Sequence, residues 1–210
     1  MKVDLTNILE GFSILSGEMD KKFKMPYLEN KEKYILAIFI SAMSKALQFS
    51  PIINAVIDGE AKNIINRDYQ DFIVPLVDKN SNSVNVVIKN VQNKNFNVIL
   101  KEIDELEKKI DSGKLSLEDV TGGTIGINPS NVSLLNISAI EEGTTVKLGI
   151  NQIVKRPFCV NNDPKNISKR DIMLISLTYD HRLIDGREGV LYLKKVKELL
   201  ENPLRFIINI

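Results

Sequence analysis

Ser176-Leu177-Thr178-Tyr179-Asp180-His181-Arg182-Leu183-Ile184-Asp185-Gly186 joins two kinds of pattern, and the fold class is decided at that join. Before it, Ile172 to Tyr179 is a β-branched and aromatic run that reads as a strand. After it, Gly186 to Glu201 repeats apolar residues at Val190, Leu193, Val196 and Leu200, the period of an amphipathic helix. The only histidine of the chain, His181, therefore falls in a short loop between a strand and a helix, flanked by Asp180 and Arg182. An imidazole with an ordinary pKa of about 6.5 accepts a proton at neutral pH, so general-base chemistry is available there without any special shift. The plain alternative is a hydrogen-bonded surface histidine.

Working outward, Lys31 to Phe49 carries Ile35, Phe39 and Met43 with Ile38, Ala42, Ala46 and Leu47 alongside, which predicts a helix with a wide buried face. Short β-branched runs at Ile53–Ile57, Phe72–Val77 and Val84–Ile88 predict strands, separated by Asp58-Gly59 and by the Asp78 to Asn82 turn. Ile99, Ile103, Leu106 and Ile110 recur at helical spacing, and Ser112-Gly113 stops the pattern. Thr124–Ile127 and Thr145–Ile153 are further strand candidates. Strands that do not strictly alternate with helices point to an α/β protein with a mixed sheet. The asparagine-rich stretches around Asn80 and Asn161 are expected to be exposed loops.

The 210 residues show no repeat and no Pro/Gly/Ser-rich linker, so residues 1–210 are expected to form a single domain. The 28 basic and 27 acidic residues nearly cancel, which argues against nucleic acid or a membrane surface as partner. The apolar run Tyr34–Ile40 is too short to cross a bilayer. One cysteine and no apolar stretch after a basic start leave the cytoplasm as the expected location. One histidine and one cysteine cannot build a metal site, so none is expected. Cys159 reads as a small buried hydrophobe rather than a nucleophile. Lys194, Lys195 and Lys197 read as a solvated helix face, one of which could reach a phosphate.

Asp180 to Gly186, reading DHRLIDG, resembles the DHRxxDG signature of the 2-oxo acid dehydrogenase acyltransferases. The likeness extends along the chain. Phe49 to Ala55, with Pro51 and Asn54, is similar to a family segment, as are Gly113 to Val120 and Gly122-Gly123-Thr124. Leu199 to Pro203 with its apolar tail resembles the family's C-terminus. The resemblance implies a two-layer α/β sandwich of a mixed sheet with helices, shared with chloramphenicol acetyltransferase. It also implies trimers with active sites between subunits, built into larger cages by an apolar C-terminal anchor, here Pro203 to Ile210. On that reading His181 deprotonates the thiol of coenzyme A or dihydrolipoamide, and Asp185 supports the loop and its electrostatics. The plain reading of Asp185 is a helix N-terminal carboxylate, which is compatible with that role. Asp180 and Arg182 read as structural.

The implied partners are a lipoyl domain and the decarboxylase component of a 2-oxo acid dehydrogenase complex. The lipoyl group would be carried on another chain or upstream of this one. The family's oxyanion-stabilising serine falls at Asn128, whose amide is a capable donor, with Gly126 expected to make room. The alternative for Asn128 is a polar turn residue before Pro129. Pro129 to Val146 lacks the family's usual glycine-rich path, and no arginine precedes Arg67, although the family carries one in its first helix. Two other readings therefore stand beside the lipoyl enzyme: a catalytically degenerate core subunit, and a free-standing coenzyme A-dependent acyltransferase with a different acceptor.

Overall fold

The computed structural model describes residues 1–14, 29–57, 63–159 and 165–202, and the backbone alone of 15–23 and 27–28. Among the described residues, nine strands and five α-helices begin in the order β1 (Lys2–Asp4), α1 (Thr6–Phe23), α2 (Tyr27–Leu47), β2 (Val56–Ile57), β3 (Ile64–Ile65), β4 (Phe72–Val77) and β5 (Ser83–Ile88). They continue as α3 (Phe96–Asp111), α4 (Leu117–Val120), β6 (Ile125–Pro129), β7 (Val146–Ile150), β8 (Val154–Cys159), β9 (Ile167–Tyr179) and α5 (Gly186–Glu201). The main sheet orders its strands β1-β9-β7-β6-β4-β5, with β8 also paired to β9 and β2-β3 a separate hairpin. β4, β6 and β7 are parallel neighbours, while β5, β9 and β1 pair antiparallel, so the sheet is mixed as expected.

Period-two alternation divides this sheet into two unlike faces. Phe72, Val74 and Leu76 of β4, Ile125 and Ile127 of β6, Val146, Leu148 and Ile150 of β7, and Met173 and Ile175 of β9 belong to one core with α2, α3 and α5. The apolar α2 stretch from Tyr34 to Ile40 lies in this core, with Phe39 and Ile40 fully buried. Phe12, Tyr34 and Phe96 meet with ring centroids 5.6 to 6.2 Å apart, tying α1, α2 and α3. Tyr192 of α5 is fully buried and donates to the Met43 carbonyl of α2 at 3.3 Å; burial pushes its phenol far above the usual range. No described helix is long and apolar enough to cross a membrane.

α2 starts four residues earlier than expected and ends at Leu47. Ile53 and Asn54 lie in a 3-10 turn, Pro51–Asn54, not in a strand. Pro51 fixes its backbone and lacks an N–H, and the buried Asn54 amide donates to the Tyr69 carbonyl at 2.7 Å. The Thr145–Ile153 strand is cut at Ile150, because the Gln152 N–H turns to the Ser133 carbonyl and the Asn151 amide to that of Leu174. The chain resumes pairing as β8, which the sequence reading did not anticipate, nor β1, α1 and α4. Cys159 is exposed, contrary to expectation: it ends β8 opposite Ile167, itself exposed. Asn80 is exposed in a turn that the Asp78 carboxylate holds by accepting from Asn80 and Asn82, which keeps that carboxyl below its usual value. Asn161, Asp58-Gly59 and Pro203 to Ile210 lie outside the described residues.

Candidate active site

The loop around His181 is built from its own charges. The Asp180 N–H closes onto the Thr145 carbonyl at 2.9 Å, and its carbonyl accepts from Leu183 and Ile184 at 3.1 and 3.0 Å. Its carboxylate accepts from the Arg182 backbone N–H at 3.0 Å and from the guanidinium at 2.6 to 3.1 Å. That guanidinium holds the Asp180 carboxyl below its usual range. Asp180 and Arg182 therefore shape the turn, and Ile184 anchors it in the core. His181 projects from this frame, exposed, with its ring centroid 5.6 Å from that of Tyr179 and the planes inclined by 39°.

Asp185 caps α5. Its carboxylate accepts from the Glu188 N–H at 2.9 Å, and its carbonyl takes the Gly189 N–H at 3.1 Å. Asp185 is exposed, as is His181 in the same loop.

Asn128 lies near the C-terminal end of β6, on the sheet face turned away from the helices. In the ladder it stands opposite Gly149, which stands opposite Ser176. The segment 130–145 folds back over this face. Asn128 donates to the Ser138 hydroxyl, Ser176 donates to the Asn136 carbonyl at 2.5 Å, and Lys147 pairs with Glu141. Gly149 is required by this roof, since a Cβ there would stand 2.6 Å from the Asn136 carbonyl oxygen. Gly126 does not make room for Asn128: a Cβ on it would lie 2.7 Å from a Glu141 carboxylate oxygen, so Glu141 takes that space. Upstream, Gly122 and Gly123 have φ of +90° and +105°, and a Cβ on Gly123 would come within 2.3 Å of Ile73. The Gly-Gly pair thus sets the entry of β6, and buried Thr124 binds the backbone of Asp71.

Asn128 also lines a cleft of about 850 Å³ between the start of α2 and the break between β7 and β8. Glu29 to Lys33, Leu76, Val77, Glu107, Ile150 to Ile153 and Met173 form much of its wall. Burial alone would push the Lys33 ammonium down, but ion pairs with Glu107 at 2.5 Å and Asp104 at 3.1 Å more than reverse it.

The structure does not bring Asn128 and His181 together within one chain. β9 runs antiparallel to β7, so His181 follows the end of the sheet opposite to the one where β6 and β7 finish. With strands about 4.8 Å apart and a rise of about 3.3 Å per residue, Tyr179 stands about 14 Å from Asn128 and His181 lies beyond it. Asp185 does share the His181 loop. Sequence reading missed Tyr179 as a neighbour of the histidine, and Ser138 and Glu141 as partners on the open face. The Tyr179-x-His181 spacing was a usable signal for the first; nothing local pointed to the others.

The description 2-oxoacid dehydrogenases acyltransferase (catalytic domain) matches residues 2–208. The chain is 35% identical over 213 residues to the dihydrolipoyllysine-residue succinyltransferase component of the Arabidopsis thaliana mitochondrial 2-oxoglutarate dehydrogenase complex 1, covering 100% of this chain and 43% of that one. The corresponding Rickettsia typhi protein is 36% identical over 211 residues, covering 100% of this chain and 50% of the relative. The chain thus spans about half the length of these relatives, or less. Among solved structures, a probable dihydrolipoamide acetyltransferase from Listeria monocytogenes superposes with a TM-score of 0.86 at 27% identity, over 96% of this chain and 82% of that one. A chloramphenicol acetyltransferase superposes with a TM-score of 0.59 at 15% identity, over 95% and 86%. The chain has the chloramphenicol acetyltransferase-like fold and belongs to the family of 2-oxoacid dehydrogenase acyltransferase catalytic domains.

Proposed function

We propose that this chain moves an acyl group between coenzyme A and dihydrolipoamide, in a site that two copies share. The observation that carries the proposal is the placement of His181 and Asn128 at opposite ends of one sheet. A histidine that removes a thiol proton and a donor that receives the developing oxyanion must both lie near about 3 Å from the reacting atoms. One chain cannot supply both to the same carbonyl, whereas the His181 loop of one copy can meet the Asn128 cleft of its neighbour in a closed ring of subunits.

The chemistry asked of each group is modest. Thiols with pKa near about 8.5 are mostly protonated at neutral pH, so a positioned imidazole contributes about 10²–10⁴ in rate. Attack of the resulting thiolate on the other partner's thioester needs no acyl-enzyme, because acceptor and leaving group are both thiols. Asn128 gives one amide proton to Ser138 and retains a second for the oxyanion. Asp185 holds the start of α5, and its negative charge in the same loop as His181 favours the imidazolium that forms. The lipoyl group and the decarboxylase component are the partners this reading requires. The curated relatives are named as succinyltransferases, which makes succinyl-coenzyme A the first acyl donor to assay.

The test is complementation. Purified chain is assayed with succinyl-, acetyl- and branched acyl-coenzyme A and dihydrolipoamide, beside His181→Ala, Asn128→Ala and the two variants co-expressed. Each variant alone is expected to be deeply impaired, and the co-expressed pair to recover activity that neither has. Full activity in His181→Ala, or a wild type that sediments as a monomer, sinks the shared site. An inactive wild type that gains activity as Asn128→Ser identifies a degenerate core subunit instead.

A further inference from the structure

We propose that Tyr179 is a positioning residue for His181: its ring, seated on a glycine-lined first turn of α5, forms the wall that sets the orientation of the imidazole. Tyr179 ends β9, opposite Val146, and packs against the core while still reaching the loop. Its ring meets two glycines of α5. A Cβ on Gly189 would lie 3.1 Å from the Tyr179 Cε1 atom, closer than such contacts ordinarily come, and a Cβ on Gly186 would lie 3.7 Å from the phenol oxygen. Gly186 and Gly189 are three residues apart, so both open the same face of the helix. Glycine is a poor residue for a helix interior, yet Gly189 is buried there. Close approach of the Tyr179 ring accounts for its presence.

The same ring stands 5.6 Å, centroid to centroid, from His181 at 39°, within the range of aromatic pairs. His181 is otherwise exposed, on a turn whose charges are spent on Asp180 and Arg182. An exposed imidazole free about its side-chain torsions visits several rotamers, and a ring on one side removes those that would run into it. The gain for chemistry is orientation, since misplacement of a catalytic group by about 1 Å can cost up to about 10²-fold in rate. This role rests on the reading of His181 as the base, but the placement of the ring stands independently of it.

His181 is the chain's single histidine, so its imidazole resonances can be followed without assignment in the full chain. Replacing Tyr179 by Leu is expected to remove the aromatic ring's effect on those resonances and bring them to the positions of a freely exposed histidine. Turnover should fall about tenfold or more with little change in KM. Tyr179→Phe keeps the ring and should keep both the resonances and kcat. Gly189→Ala favours the helix but pushes the ring, and should move the resonances with the helix content intact; it serves if the leucine variant fails to fold. Resonances that stay in place in Tyr179→Leu, or in Gly189→Ala if that variant must stand in, overturn the positioning role, and so does a phenylalanine variant as slow as the leucine one. If the wild type transfers no acyl group, the reading of His181 as base falls, and the resonances alone decide whether Tyr179 sets the imidazole.

Discussion

The two faces of the main sheet use the same strands for opposite purposes. On the helix side Phe72, Ile125, Val146 and Ile175 are fully buried among the residues of α2, α3 and α5. On the other side Gly126, Asn128, Lys147, Gly149 and Ser176 are polar or small, and a segment without regular secondary structure lies over them. The first face gains from volume and area removed from water; the second depends on individual hydrogen bonds and on glycines that let backbone approach backbone. Stability should therefore reside mainly on one face and the Asn128 part of the candidate chemistry on the other, and each can be disturbed separately.

The largest expected effect tests that division directly. Phe72→Ala should destabilise the chain by about 3–5 kcal/mol in urea unfolding, because a cavity opens where three strands, β4, β5 and β6, meet the helix layer. Asn128→Ala, on the opposite face, should change stability by no more than about 1 kcal/mol while lowering turnover by about 10²-fold. A large stability loss from Asn128→Ala with turnover intact would reverse the assignment of the two faces.

Gly149→Ala sharpens the comparison next. Its Cβ would meet the Ser176 hydroxyl at 2.3 Å and the Asn136 carbonyl oxygen at 2.6 Å, so the covering segment must shift. A cost of about 1–3 kcal/mol is expected, with faster amide exchange confined to residues 130–145. Exchange that accelerates instead in α2 and α3 would mean that the segment is not what Gly149 accommodates.

Asp185→Ala should cost about 1 kcal/mol, the usual loss of an N-cap, and Asp185→Asn should restore most of it. On the proposed reading the asparagine variant still loses turnover, because it keeps the cap but not the negative charge in the His181 loop. Equal activity in wild type and Asp185→Asn would leave Asp185 a cap only.

The smallest effect is a pH dependence away from both faces. The Lys109 ammonium and the Ser116 N–H hold the Asp119 carboxyl at about 2, below its ordinary 3.8. A carboxyl lowered on folding stabilises the native state above its unfolded value, and that contribution disappears as pH falls through the interval from 3.8 to about 2. Partial solvent exposure keeps the effect small. Amide exchange at Ser116 to Val120 should accelerate over that interval in wild type and not in Asp119→Asn.

The helix-side face was legible because burial imposes a period. α3 and α5 appear where their apolar residues recur, β4 and β5 where β-branched runs stand between turn residues, and Gly113 at φ +63° stops α3 where the Ser-Gly pair was expected to. β1 was missed because it is short and takes its pairing from distant β9, and β8 because its residues are largely exposed and carry no alternating apolar pattern. The DHRLIDG motif located His181 and Asp185 because a strand end, a turn and a helix cap are all written within eleven consecutive residues. What the sequence by itself determined was therefore the local chemistry: which residue can take a proton, which can cap a helix, and which stretches must be buried. Only the tertiary structure decided that Asn128 and His181 lie at opposite ends of one sheet, that Glu141 fills the space above Gly126, and that one Tyr179 ring neighbours both Gly189 and the imidazole. The physical reason is that strand order and direction are fixed by the packing of the whole core, and no local pattern encodes which strands become neighbours.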